Sequence, residues 1–558
     1  MSENGISRLG WIVTALCVLP MCAAIVAALL GDLQTWEMLA ETVLPRYIRT
    51  TLILVLCVAV GTAVVGTGAA WLVTLYDFPG RRLVEVALAV PLAFPAYVLA
   101  YAYTTLLDYP GAVQTGLRAL FDWGRRDYWF PEVRSTGGAA MMLIICLYPY
   151  VYLLARSAFR QQSASAYLAA RTLGQTPWQA FRRVCLPIAR PAIAGGVALT
   201  VMETIADYGT VSYFGVQTFS TGIYQAWFSM GDRAAAAQLA LCLLGFALLL
   251  ATLERIQRGR ARAHMRGVSG QLSAMDATRL SGVRALLAFT ACAIPVMVGF
   301  VIPIIMLGLM ALKADQSLLD PRYRAFMANS LTLAGIAAVL TVAAATLLAF
   351  AARLRPGRRT TAMLLLAGLG YAVPGGVIAV GLLVPFAHLD NAIDAVMEAR
   401  FNIDTGLLFT GSIWLLVVAY MSRFIAAALS AIDAGMGTVA PNVDAVARTL
   451  GLSPGRVLTG VHFPILRGTM MTALLIVFVD VMKELPATLI MRPFNYDTLA
   501  VQAHRLAADE RLTQAAVPSL VIVAFGLLPV ILVCRSIGER RTARPRRRPD
   551  AAQAEGVL

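Results

Sequence analysis

Four carboxylates stand where an apolar chain tolerates them least. The stretch METIADYGT carries Glu203 and Asp207, and VDVMKELPA carries Asp480 and Glu484. A spacing of four puts both acids of a pair on one helical face. Ionisable groups inside membrane spans are costly and turn toward a bundle interior or an aqueous path. Oxygen ligands suit hard cations. The chemistry on offer is therefore transient contact with a passing cation, first at Glu203 and Asp480, with no fixed metal site. The plainer alternative is that the acids pair with Lys483, Arg190, Arg467 or backbone donors and only hold the bundle or a gate together.

Other reactive groups are sparse. The four histidines, at 264, 388, 462 and 504, lack His-Glu-x-x-His spacing and repeat symmetry, so neither catalysis nor metal ligation is expected of them. His504 reads as a plain surface residue. No two of the eight cysteines have Cys-x-x-Cys spacing, and nearly all lie in apolar runs, where Cys acts as a small hydrophobe. A phosphate-cradling loop needs Gly-x-x-x-x-Gly-Lys-Ser/Thr. The only lysines, Lys313 and Lys483, follow Leu and Met, so the chain has no such ATP site and no cofactor of its own.

Two polar stretches recur between apolar ones: AARTLGQTPWQAFRRVCLP, from Ala169 to Pro187, and VARTLGLSPGRVLTGVHFP, from Val446 to Pro464. Each reads as two short helices around a glycine. Gly174 and Gly451 supply the left-handed residue that ends the first. Thr176 and Ser453 offer N-caps, and Pro177 and Pro454 suit the first helical position. Pro187 and Pro464 are expected to end the second helices and start the next spans. Helices this short need a partner surface, and Trp178 and Phe181 offer an apolar face that fits a groove. In the second copy Trp178, Phe181 and Arg182 become Gly455, Leu458 and Thr459, so the first loop carries the larger anchor.

The elements that position these groups are membrane helices. The chain of 558 residues is 59% hydrophobic and 14% charged, against about 25% charged in ordinary soluble domains. About twelve apolar runs can each cross a layer of roughly 30 Å: 10–30, 50–75, 83–106, 138–154, 191–214, 236–253, 285–312, 330–352, 361–386, 407–429, 468–490 and 515–534. The first is longer than a signal-peptide core and reads as a span. The net charge of +15 comes from arginine clusters beside apolar runs. That pattern follows the positive-inside rule, needs a lipid bilayer and no nucleic acid, and puts both termini in the cytoplasm. Residues 1–254 and 285–535 read as two repeats of about six spans, joined by a linker at 255–284 and followed by a basic, disordered tail at 536–558. An offset of 277 aligns Arg171, Gly174, Pro187, Glu203 and Asp207 with Arg448, Gly451, Pro464, Asp480 and Glu484. An even number of spans per half makes the repeat parallel and puts both loops in the cytoplasm.

The loops resemble the "EAA" loop of ABC-importer permeases. The resemblance rests on Ala169, Ala170, Arg171, Gly174 and Pro187, and on Ala447, Arg448, Gly451 and Pro464. The family's Glu is absent: Leu168 and Ala445 stand there, with Asp444 one residue before the second. The stretches at 91–111, 206–232 and 481–512 are similar to fused bacterial ferric-iron permeases. This resemblance implies an all-α type I importer fold in the bacterial inner membrane. It also implies two copies of a cytoplasmic ATPase that bind ATP and Mg, and a periplasmic ferric-binding protein received at 215–232 and 491–509. Permeases for thiamine, phosphonate, sulfate, molybdate or polyamines share the loop and stand as alternatives. An ATP-independent secondary transporter would not need the two loops.

Overall fold

The computed structural model describes residues 3–31, 33–124, 127–161, 167, 170–265, 278–314, 320–437 and 439–542. These residues form an all-α membrane protein. Eleven helices among them are long and apolar enough to span: Glu3–Leu29, Leu44–Leu75, Thr136–Arg160, Pro177–Ala206, Arg233–Leu250, Gly282–Lys313, Pro321–Leu354, Gly375–Phe401, Ile413–Met436, Pro454–Met482 and Leu512–Ile531. A further pair, Arg81–Ala93 and Ala96–Phe121, is long and apolar enough only when taken together and is bent by 96°, the geometry of a broken span or of a re-entrant loop. Leu52, Leu56, Val60 and Val64 form an exposed stripe at four-residue spacing along the second helix. Only acyl chains would solvate such a stripe at low cost.

Two expected spans are not continuous. The run at 83–106 breaks at Phe94 and Pro95, after a 3-10 turn at Val90–Ala93. The run at 361–386 breaks in the equivalent way at Val373 and Pro374, after a 3-10 turn at Gly368–Ala372. The cause is local. Proline has no amide to donate and forces the preceding residue out of the helical region, and Phe94 and Val373 are both extended.

The reading of Pro187 and Pro464 as helix ends is also corrected. A π-turn at Phe181–Cys185 joins the short helix Pro177–Ala180 to Leu186–Ala206 without a break. Leu458–His462 does the same between Pro454–Val457 and Phe463–Met482. A π-turn already displaces the regular hydrogen-bond ladder, so a proline just after it forfeits little. Each loop is therefore the first turn of a rod of 30 or 29 residues that ends at the acidic pair.

The first span of each half packs across the molecule. Glu3–Leu29 lies on Gly375–Phe401 and Pro321–Leu354, and Ala285, Ala288, Cys292 and Val296 join the core formed by residues 69–189. The expected linker at 255–284 begins as a helical continuation to Met265. It includes a two-residue parallel pairing of Thr278–Arg279 with Tyr76–Asp77; residues 266–277 lie outside the described residues. The expected tail at 536–558 continues helix to Thr542, and residues 543–558 are likewise outside. Close approach of helices relies on small residues: a Cβ on Gly66 would meet the Tyr148 carbonyl oxygen at 2.9 Å, and one on Gly196 would meet the Val151 Cα at 2.7 Å.

Candidate functional site

All four predicted carboxylates line one small chamber. Its volume is about 110 Å³, and Glu203, Asp207, Asp480 and Glu484 share its wall with Tyr97, Tyr150, Arg423 and Lys483. The helix break at Phe94–Tyr97 and the ends of both acidic rods meet there. A second cavity of about 840 Å³ sits toward the loops, as its lining shows: Ala198 and Met202 precede Glu203 on its rod, and Ala426 and Ser430 follow Arg423 toward the second loop. It is mostly apolar, and its only charged lining residues are Asp480 and Lys483, which also line the chamber.

The acids divide into two kinds. Asp207 accepts from the amides of Thr210 and Val211 and from the Thr210 hydroxyl at 3.0–3.1 Å. Glu484 accepts from the amides of Ala487 and Thr488 at 2.8 and 3.0 Å, from the Thr488 hydroxyl at 2.6 Å, and from Arg423 at 3.2 Å. Both satisfy the orphan amides of the short helix that follows the rod. These two carboxylates therefore have backbone donors as partners. Asp480 pairs with Lys483 at 2.9 Å. Glu203 accepts only the Tyr371 hydroxyl, at 3.3 Å, among the described residues. Arg190 and Arg467 are exposed and take no part. Arg423 is the residue the sequence reading missed. A lone arginine in AYMSRFIAAA was its signal, because a charge inside a span marks an interior site. Tyr97 is buried with its hydroxyl unpaired.

Away from the loops the chamber is closed by tyrosines. Tyr208 stacks on Tyr224 at 3.7 Å, and the Tyr224 hydroxyl donates to the Pro486 carbonyl. His504 is not a surface residue. It is 8% exposed, its ring lies 5.6 Å from Tyr208, and its Nδ1 is 3.2 Å from the Tyr101 hydroxyl. Burial pushes its pKa down to about 4, so it is neutral at ordinary pH. Above this layer the Arg134 guanidinium forks onto Glu510 at 2.6 and 2.9 Å and reaches Asp108 at 3.4 Å. The fork joins the two halves of the chain.

At the other end, both loops turn at glycine in the left-handed region, with φ of +81° at Gly174 and +73° at Gly451. Gln175 donates to the Ala170 carbonyl and Leu452 to the Ala447 carbonyl, each at 3.1 Å, closing the same C-terminal motif. Thr176 and Gln179 form a capping box, whereas Ser453 makes no side-chain cap. Arg171 donates to the Gln175 carbonyl. Ala169 and the Arg448 side chain lie outside the described residues. Ala170 and Ala447 are buried against the chain itself. The two predicted aromatic anchors part company: Trp178 is 56% exposed, but Phe181 is 5% exposed and stacks on Trp71 at 4.6 Å. Leu173 and Leu450, at equivalent positions, are 82% and 73% exposed.

The second loop carries an ionic clamp. Asp444 accepts from Arg353 Nε and His462 Nε2, both at 2.6 Å. Arg353 also donates to the carbonyls of Met436 and Val439. Burial raises the Asp444 pKa, but the Arg353 and His462 hydrogen bonds outweigh it and hold the carboxyl below its usual range. The offset puts Tyr76, Tyr167 and Cys185 at the same places in the first half, where they form part of an apolar cluster.

Residues 63–263 match the family described as the binding-protein-dependent transport system inner membrane component. The chain is 24% identical to the Fe(3+)-transport system permease protein FbpB 2 of Haemophilus influenzae, over 92% of this chain and 96% of that one. It is 28% identical to the sulfate transport system permease protein CysT of Escherichia coli, over 36% of this chain and 70% of that one. It is also 28% identical to the molybdenum transport system permease protein ModB of Escherichia coli, over 34% of this chain and 85% of that one. The first similarity runs through both halves, and the other two cover about a third of the chain.

Proposed function

We propose that this chain is a multi-pass inner-membrane permease of a binding-protein-dependent ABC importer, the class to which its matches point, and that its cargo is Fe(III). The observation that carries this reading is the charge of the chamber. Four carboxylates face two cations there, a formal net of minus two. At about 5 Å and an effective dielectric constant of about 20, each unit-charge pair is worth roughly 3 kcal/mol. A dianion such as sulfate or molybdate therefore meets repulsion on the order of 10 kcal/mol, and a trivalent cation meets attraction. Size supports the same cargo. An apolar cavity of about 150 Å³ takes one benzene, so a chamber of about 110 Å³ is too small for thiamine or a polyamine.

In this reading the two loops each receive one copy of a separate cytoplasmic ATPase, which supplies ATP and Mg. Leu173, Leu450 and Trp178 are the exposed contacts. The termini are cytoplasmic, as the arginine clusters favour, and a periplasmic binding protein delivers iron to the face closed by the tyrosine layer. Closure of the ATPases moves both rods. Because each rod continues through its π-turn to the chamber, motion at the loop is carried along one helix to Glu203 and Asp480. Opening the Arg134–Glu510 side then admits the cation, and reversal exposes it to the wider cavity on the loop side. The test is accumulation of radioactive iron, sulfate and molybdate in cells lacking their own importers for each and expressing this permease with its ATPase and binding protein. Iron alone should accumulate; accumulation of either oxyanion without iron refutes the reading.

A further inference from the structure

Lys483 lies at the one place where a charge on the chain can compete with the cargo. It lines both the small chamber and the wider cavity, together with Asp480. It sits at the C-terminal end of its rod, just past Met482. Three of the other chamber charges are fixed. Asp207 and Glu484 are held by backbone amides. Arg423 is held by Glu484 and packed so closely over Gly375 that a Cβ there would lie 2.4 Å from its Nη1. That leaves Glu203, Asp480 and Lys483 as the groups free to change partners. The repeat places Ala206 opposite Lys483, so only one of the two pathway acids has a counter-cation on its own rod.

We propose that Lys483 is a tethered stand-in for the cargo. Its ammonium, a compact and strongly hydrated charge on a flexible stem, holds Asp480 between transport events. An entering hard cation displaces it, and its return to Asp480 expels that cation toward the wider cavity. Conduction requires a site attractive enough to enter and weak enough to leave. Four carboxylates with only Arg423 beside them would trap a trivalent ion; the returning ammonium prevents that. The inference rests on the Fe(III) reading above and adds the residue that sets how long the ion stays.

The test is equilibrium dialysis of the purified full-length chain against gallium(III), a redox-inert trivalent probe, supplied as its nitrilotriacetate complex. Lys483→Met should retain gallium at least about tenfold more tightly than the natural chain, and Lys483→Arg should stay within about threefold of it. Adding Asp480→Asn to Lys483→Met should abolish the gain. A destabilised fold would weaken retention, so tighter binding is a result that a structural role does not produce. Equal or weaker retention by Lys483→Met, in a chain that still imports iron when unsubstituted, overturns this inference alone. Import of sulfate or molybdate in place of iron by the unsubstituted chain, with loss of oxyanion binding in Lys483→Met, overturns the cargo reading and this inference together.

Discussion

Replacing Asp444 by Ala should release the second loop from its own half and leave the first untouched. Asp444 and Arg353 are only 16% and 17% exposed, so their pairing is weakly screened. A hydrogen bond to a charged group contributes about 1.5–3 kcal/mol, and Asp444 accepts two, from Arg353 and His462. Arg353 keeps its bonds to Met436 and Val439, which offsets part of the cost. A net loss of about 3 kcal/mol follows, or on the order of a 100-fold rise in local opening. Hydrogen exchange of residues 441–452 reads this directly, with the turn at 170–176 as the internal control. The folded pKa of Asp444 lies below its unfolded value, so its contribution is complete above about pH 4 and is lost only as pH falls through the lowered value. Unchanged exchange at 441–452, or an equal rise in both loops, would refute the idea that the halves use different anchors.

Glu203→Gln should reduce iron uptake at least about tenfold with normal expression, because its carboxylate is spent on no backbone donor; Asp207→Ala should instead lower thermal stability, since it removes the acceptor of the Thr210 and Val211 amides, as melting curves of the two variants would show. Gly451→Ala should weaken ATPase co-purification at a cost of about 1 kcal/mol from the left-handed backbone alone, because no atom lies within 4 Å of the added methyl. Leu173→Asp and Leu450→Asp should each reduce co-purification more than Phe181→Leu, whose ring faces inward. Arg134→Ala should raise hydrogen exchange of the 499–508 helix roughly fivefold, the worth of about 1 kcal/mol for a partly exposed pair. Protonating Glu510 should do the same only in acid: the Arg134 hydrogen bond holds its pKa down, so the latch is whole above about pH 4.3 and fails as pH falls through the lowered value.

Much of this machine is written in local patterns. The acid pairs could be read because a charge inside an apolar run is expensive, and the loops because two copies stand at one offset. That Glu203 and Asp480 differ in kind from Asp207 and Glu484 could not be read, since capping depends on where the helix stops, and a run of apolar residues does not mark that point. The proline breaks at Pro95 and Pro374 had a visible cause, yet hydropathy ran straight through them. Pro187 and Pro464 mislead the other way: the π-turns before them absorb the missing donors. His504 looked like a surface residue because its partner, Tyr101, lies 403 positions away. Arg423 was in plain view, but its worth came from Glu484, just past the end of another helix.

The central claim is that a net-negative chamber passes a trivalent cation. Uptake of radioactive iron into proteoliposomes holding the permease, its ATPase and its binding protein tests it most directly, with Glu203→Gln measured beside the natural chain and sulfate as the competing cargo. The account predicts ATP-dependent iron uptake that falls at least about tenfold in Glu203→Gln, with no sulfate uptake by either. Iron uptake unchanged by Glu203→Gln, or sulfate uptake in place of iron by the natural chain, would contradict it.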